Sequence, residues 1–340
     1  VARLNGREGE GLIFPRKLQE GSQIRVIAPA RSLSIIDGER RELAVAALGS
    51  LGLRVSFGKN VGRCDAFSSS GVEERIQDLH DAFADPTVDG ILTVIGGYNT
   101  NQILPLIDYT LIGRNPKILC GYSDITVLSN ALLRKSNLIT YSGPHFSTFS
   151  MRLGFEYTKE YFRKCLFLDA PFVVEPSPRW SDDRWYTDQD RRVFLPNAGP
   201  QTLQPEAVER GGRIVGGNLG SFSLLQGTEF WPGLADSILY LEADGEMSAE
   251  YFDRHLQSVL NQEESAGITA LLLGRFQESS RIDEAILRRI LLNKRELAGI
   301  PVVYNLDFGH TSPMFTFPIG GTAHLVIGNS GEIALKIVRH

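Results

Sequence analysis

The sequence predicts an α/β protein of two domains, the first built on a mostly parallel sheet and the second a mixed α/β unit. Three observations carry this. Apolar strand-like runs alternate with amphipathic helical patterns through the first half, as βαβ units do. A stretch punctuated by six prolines, 169–206, then breaks the alternation. Strands and helices resume after it and end in two alternating segments around Gly328-Asn329-Ser330-Gly331. A chain of 340 residues carries a prior of about two domains. The expected divisions are 1–168, a linker and covering loop at 169–206, and 207–340.

Residues 24–28 read as a strand stopped by Pro29, 39–51 as a helix and 53–57 as the next strand. Val72, Ile76, Leu79 and Phe83 fall on one helical face before Asp85-Pro86, a natural stop. The buried-strand run 90–95 is broken by Gly96-Gly97, and 101–107 is a short helix interrupted by Pro105. Residues 117–120 form a strand and 124–135 a helix, with Ile125, Leu128, Leu132 and Leu133 as its apolar set. In the second half, 211–218 is glycine-rich, and the strand 237–241 runs into Glu242. A helix at 251–260, a strand at 269–273, a helix at 282–292 and a strand at 301–304 lead to the loop 305–310. The segments 322–327 and 333–338 read as a terminal antiparallel pair. Parallel sheets bind ligands beyond the carboxyl ends of their strands. Gly96-Gly97 and Ser123 both follow strand ends, so both face that edge.

Composition narrows the function classes. Hydrophobic residues make up 42% and charged residues 22%, the balance of a soluble globular chain. The net charge is -5, from 35 basic and 40 acidic residues, and no basic block marks a nucleic-acid surface. No apolar run approaches the roughly 18 residues of a membrane span. The polar start, with Arg3, Arg7, Glu8 and Glu10, lacks the apolar core of a secretory signal. Cys64, Cys120 and Cys165 are dispersed without a C-x-x-C pair, which suggests neither a zinc site nor a disulfide frame. A reducing cytoplasm is the expected compartment.

The most informative stretch is Lys117-Ile118-Leu119-Cys120-Gly121-Tyr122-Ser123-Asp124-Ile125-Thr126. A strand stops at a glycine, a serine follows, and an acidic residue opens a helix. Such a turn lifts a hydroxyl out of the backbone beside free N–H groups at the helix start. An exposed nucleophile and an anion hole are what acyl transfer requires. The competing reading is a helix cap, a position where Ser and Asp are common. A serine nucleophile needs a base, itself oriented by a carboxylate. Of the six histidines, His80 and His255 lie in helical patterns, His324 in a strand pattern, and His340 is terminal. His145 and His310 lie in glycine-containing loops after strands, where catalytic groups collect. Glu242 ends an apolar strand, an expensive place for an unpartnered charge. Asp244 and Glu246 are its rivals, and the bland alternative is a simple strand exit. Trp180 and Trp185 stand in the polar loop 180–188, either covering a site or plugging the domain junction.

Four motifs in order resemble the LD-carboxypeptidase family of serine peptidases: Gly121-Tyr122-Ser123-Asp124-Ile125-Thr126, Gly216-Gly217-Asn218-Leu219, Leu241-Glu242 with Asp244-Gly245-Glu246, and Asp307-Phe308-Gly309-His310. The resemblance runs from Ile24 to about Ile327. It implies a flavodoxin-like first domain with the active site at the domain interface. It assigns Ser123 as nucleophile, His310 as general base and acid, and Glu242 as the orienting carboxylate. The backbone N–H groups of Asp124 and Gly97 form the implied oxyanion hole. Ile125 stands where G-x-S-x-G has its second glycine, so this is not an ordinary α/β-hydrolase elbow.

The family has two relevant branches. One trims terminal D-Ala from murein tetrapeptides. The other is similar to the microcin C immunity hydrolase, which cleaves the amide joining an aspartyl-like residue to a nucleotide. Ile95-Gly96-Gly97-Tyr98-Asn99-Thr100-Asn101, Trp180-Ser181-Asp182-Asp183-Arg184-Trp185 and His310-Thr311-Ser312-Pro313-Met314-Phe315 look like the second branch. The expected substrate contacts are Trp185, stacked on the nucleobase, with Asn218, Gly96 and Tyr98. Ala243 departs from the acidic residue usual next to the triad glutamate. The resemblance implies a homodimer acting on a small peptide-nucleotide or muropeptide, with no metal and no organic cofactor. A two-domain binding protein without chemistry is the alternative of another class.

Overall fold

The computed structural model describes residues 11–204 and 206–340. The polar start around Arg3, Arg7, Glu8 and Glu10, and Pro205, lie outside the described residues. Two large sheets share the molecule, in the α/β arrangement that the alternation predicts. The first runs in the order Arg54–Phe57, Gln23–Ile27, Gly90–Thr93, Ile118–Cys120, Thr140–Ser142, Phe317–Ile319. Its first five strands are parallel and the last is antiparallel. Thr140–Ser142 and Phe317–Ile319 are three residues each, too short to show a period, and the sequence reading passes over both. Gly90–Thr93 is buried at every position, which is why its run does not alternate.

Gln23–Ile27 and Gly90–Thr93 are neighbours whose following connections lead to opposite sides of the sheet. The position beyond their carboxyl ends is where ligands bind in such folds. The loops after them, Ala28-Pro29-Ala30 and Ile95-Gly96-Gly97, lie there. Buried Arg75 ties this region together: its Nη1 donates to the carbonyls of Pro29 at 3.1 Å and Asn99 at 3.0 Å. Arg75 comes from the helix Val72–Ala84, whose Ile76, Leu79 and Phe83 are buried as their spacing predicts.

The second sheet runs Phe172–Val173, Ile333–Arg339, Thr322–Ile327, Val208–Asn218, Ser237–Glu242, Ile268–Gly274, Val302–Leu306, Gln201–Thr202. The four strands from Val208–Asn218 to Val302–Leu306 are parallel and the flanking pairs antiparallel. The glycine-rich stretch belongs to the long strand Val208–Asn218. The helix Ile125–Ser136 joins the two sheets. Its apolar set is buried, and so are Thr126, Ser129 and Asn130. Asn130 Nδ2 donates to the Gly216 carbonyl at 2.9 Å, and the Asn218 N–H donates to Thr126 Oγ1 at 2.9 Å. The polar side of this helix is thus an interface to the second sheet. Among the described residues no helix is long and apolar enough to cross a membrane.

Candidate active site

Ser123 follows the strand Ile118–Cys120 and holds a φ of 60°. The left-handed region costs a non-glycine residue on the order of 1–2 kcal/mol, and such strain is concentrated where it serves a site. The helix begins at Ile125, and Asp124 makes no side-chain cap bond to it. Its Oδ2 instead accepts from the Thr100 N–H at 2.9 Å and the Thr100 hydroxyl at 2.6 Å. The helix-cap reading of Ser123-Asp124 therefore does not describe this turn. Burial pushes the Asp124 carboxyl above its ordinary value against the pull of the Thr100 hydrogen bonds. Gly96 comes close: a Cβ there would lie 2.8 Å from Ser123 Cβ and 3.6 Å from the Asp124 nitrogen. Only glycine permits that approach. Among the described residues, the N–H groups of Gly97 and Asp124 have no backbone partner.

His310 arrives from the other sheet, on the loop after Val302–Leu306. Its Nε2 lies 3.1 Å from Ser123 Oγ and its Nδ1 2.7 Å from Glu242 Oε2. Glu242 ends Ser237–Glu242 and is 3% exposed. A carboxylate only accepts, so Nδ1 carries the hydrogen and Nε2 is left to accept from the serine hydroxyl. Gly309, at φ 104°, makes the approach possible, because a Cβ there would sit 2.8 Å from Glu242 Oε2. Burial pulls the His310 imidazole down. Glu242 beside it, with Asp244 and Glu246 further off, outweighs burial and holds its pKa above the ordinary histidine value.

The rival loop histidine has another place. His145 is 1% exposed, its Nδ1 is 2.7 Å from Thr93 Oγ1, and its ring packs on Tyr122 at 4.4 Å. Tyr122 in turn packs against the His310 ring at 5.1 Å. Burial, with His310 nearby, lowers the His145 pKa to about 3. His145 thus stays neutral in the fold, while in the unfolded chain it binds a proton below its ordinary value near 6.5. It therefore removes stability as pH falls from about 6.5 towards 3. His145→Asn should flatten that dependence by up to about 1.4 kcal/mol per pH unit. Urea unfolding at pH 7 and pH 5 checks it, and equal slopes for both proteins would contradict it.

The other histidines lie elsewhere. His80 accepts from the Asp108 N–H, His324 pairs with Glu209 at 2.8 Å, His255 is half-buried, and terminal His340 is buried beside Lys17. Asn218 is buried, with Oδ1 accepting from the Ser221 N–H at 3.1 Å and Nδ2 3.4 Å from Asp244. Tyr98 is 50% exposed, its hydroxyl 3.4 Å from the Phe67 carbonyl. Trp185 is half-buried, edge-on to Tyr186 at 5.9 Å. Trp180 packs under the Arg275 guanidinium at 5.0 Å. Beside it opens a cavity of about 630 Å³ that includes Arg281 and Tyr304 but none of Ser123, Glu242 and His310. The loop carrying Trp185 is pinned by Arg192, which bonds Asp183 at 2.7 Å, the Ser312 hydroxyl at 2.8 Å and the Leu153 carbonyl at 2.7 Å. The sequence reading misses Thr100, Tyr122 and Arg192. Thr100 and Tyr122 carried a signal, one lying in the motif after Gly96-Gly97 and the other directly before Ser123, and Arg192 carried none.

A strained serine at a strand end, facing an imidazole backed by a buried carboxylate, is the arrangement of a serine hydrolase. The chain belongs to the LD-carboxypeptidase family: residues 24–143 match the LD-carboxypeptidase N-terminal domain and 211–325 the LD-carboxypeptidase C-terminal domain. It is 47% identical over 328 residues to the putative carboxypeptidase YocD of Bacillus subtilis strain 168, covering 96% of this chain and 100% of that one. The crystal structure of an MccF-like protein from Bacillus anthracis strain Ames superposes with a TM-score of 0.94 at 45% identity, covering 96% and 100% of the two chains. MccF in complex with glutamyl sulfamoyl guanosine superposes with a TM-score of 0.86 at 26% identity, covering 96% and 98%.

Proposed function

We propose that this chain is a Ser–His–Glu amide hydrolase whose substrate is an aminoacyl-nucleotide of the microcin C kind, with a role in immunity or detoxification. The contact of Ser123 Oγ with His310 Nε2 at 3.1 Å, backed by Glu242 at 2.7 Å, carries the reading. A protein that only bound its ligand would have no use for that convergence. His310 takes the Ser123 proton as Oγ attacks the scissile carbonyl. The N–H groups of Gly97 and Asp124 receive the oxyanion. His310 then gives the proton to the departing amine, the C–N bond breaks, and water releases the acyl group from Ser123 by the same steps in reverse order. Glu242 keeps the hydrogen on Nδ1 throughout.

The nucleotide branch is favoured by Trp185 in its polar loop and by the MccF structure holding glutamyl sulfamoyl guanosine. The second reading, removal of terminal D-Ala from a murein tetrapeptide, is favoured by the family name and by the putative carboxypeptidase relative. Aspartyl-sulfamoyl-adenosine and a murein tetrapeptide should be assayed side by side. Trp185→Ala is expected to raise KM for the nucleotide about 5- to 150-fold with kcat little changed, the loss of one base-stacking contact. Strong tetrapeptide cleavage with a harmless Trp185→Ala would transfer the assignment to the second branch.

A further inference from the structure

The motif Asp307-Phe308-Gly309-His310 contains a residue that the proposed chemistry does not use. Asp307 is 2% exposed and pairs with Arg275, 4% exposed, at 2.7 Å. Two charges so deeply buried need partners, and of their side-chain polar atoms Arg275 Nη1 alone lacks one. Their partners have a pattern. Asp307 accepts from the Ser177 N–H at 2.7 Å, the Ser177 hydroxyl at 3.0 Å and Asn197 Nδ2 at 3.3 Å. Arg275 donates to Asn197 Oδ1 at 2.9 Å and to Asn305 Oδ1 at 2.9 Å, and its guanidinium lies over Trp180. Ser177 and Asn197 are the two feet of a ribbon: Arg179–Trp180 pairs antiparallel with Leu195–Pro196, and the loop carrying Trp185 and Arg192 hangs from that pairing. Arg275 follows the strand Ile268–Gly274, which lies between the strands of Glu242 and His310. Asp307 stands three residues before His310.

We infer that Arg275 and Asp307 are positioning residues that hold the covering ribbon in register with His310. A pair serving only the sheet would bond to the sheet. This one meets the ribbon's feet in four hydrogen bonds, three accepted by Asp307 and one donated by Arg275. The ribbon is thereby fixed relative to the loop that carries His310. The inference rests on the hydrolase reading for its kinetic consequence, but not for its structural one.

The test uses the full chain, with Asp307→Asn, Arg275→Lys and the double variant Ser177→Ala/Asn197→Ala. Trypsin reads the ribbon directly at Arg184 and Arg191, both exposed. Cutting there is expected to speed up at least tenfold in all three. KM for aspartyl-sulfamoyl-adenosine should rise at least tenfold, while phosphonylation of Ser123 by a small fluorophosphonate stays within about twofold of wild type. A melting curve establishes that each variant folds. Where Asp307→Asn does not fold, the double variant, which leaves the ion pair whole, carries the test. Unchanged ribbon cutting in the folded variants would overturn the inference. So would a fall in Ser123 labelling with KM unchanged, since the pair would then act on the base alone. If the wild type cleaves neither substrate, the hydrolase reading falls and the trypsin arm still decides the pair.

Discussion

Ser123→Ala is expected to lower kcat by about 10⁴- to 10⁶-fold, with KM within a few fold of wild type. Removing a serine nucleophile leaves only the residual catalysis of the oxyanion donors and of substrate positioning. Gly96, Gly97, Asp124 and the ribbon are all untouched by loss of one oxygen. The φ of 60° at position 123 is no easier for alanine than for serine, so the fold should keep its stability to within a few degrees of Tm. The loss is therefore chemical, and a single-turnover assay of amine release measures it. Turnover within tenfold of wild type would remove Ser123 from the mechanism, and with it the proposed reaction class.

Glu242→Gln carries the second large effect, a fall in kcat of roughly 10⁴-fold together with a displaced pH profile. The amide can donate as well as accept. When it donates to His310 Nδ1, the ring hydrogen moves to Nε2 and faces the serine hydroxyl, where it cannot take a proton. The pH effect has a definite sign. In the wild type the base works only when deprotonated, and its pKa lies above the ordinary histidine value. The acidic limb of kcat/KM is thus expected on the alkaline side of about 6.5. Burial, which pulls that pKa down, stays in the variant, while glutamine removes the negative charge that does most to hold it up. The limb should move to lower pH even as the plateau falls. Asp244 and Glu246 continue to act on the ring and limit the displacement. A kcat/KM profile from pH 5 to 9 checks both parts, and a limb that stays in place would show that Glu242 does not set the ionisation of His310.

Local pattern alone determined a good deal about this protein. The strand, turn and helix around Ser123 were legible because an apolar run, a glycine and a helical period are neighbours in the chain. So were the strand ending on Glu242 and the glycine loop before His310, for the same reason. Which of two loop histidines approaches the serine was not a local property. His145 and His310 share a sequence context, and only the packing of Thr93 and Tyr122 around His145 separates them. Asp124 looks like a cap until Thr100, 24 residues away, is seen to hold it. Nothing local to Thr126 and Asn130 shows that they meet the backbone of Gly216 and Asn218. Phe317–Ile319 returns to the first sheet from deep in the second half, and Asp307 meets the ribbon across 130 residues. Periodicity reports which face of an element is apolar, because that depends on the residues of one segment. Hydrogen-bond partners and pKa values depend on which segments meet, and that is decided only when both sheets close on the helix Ile125–Ser136.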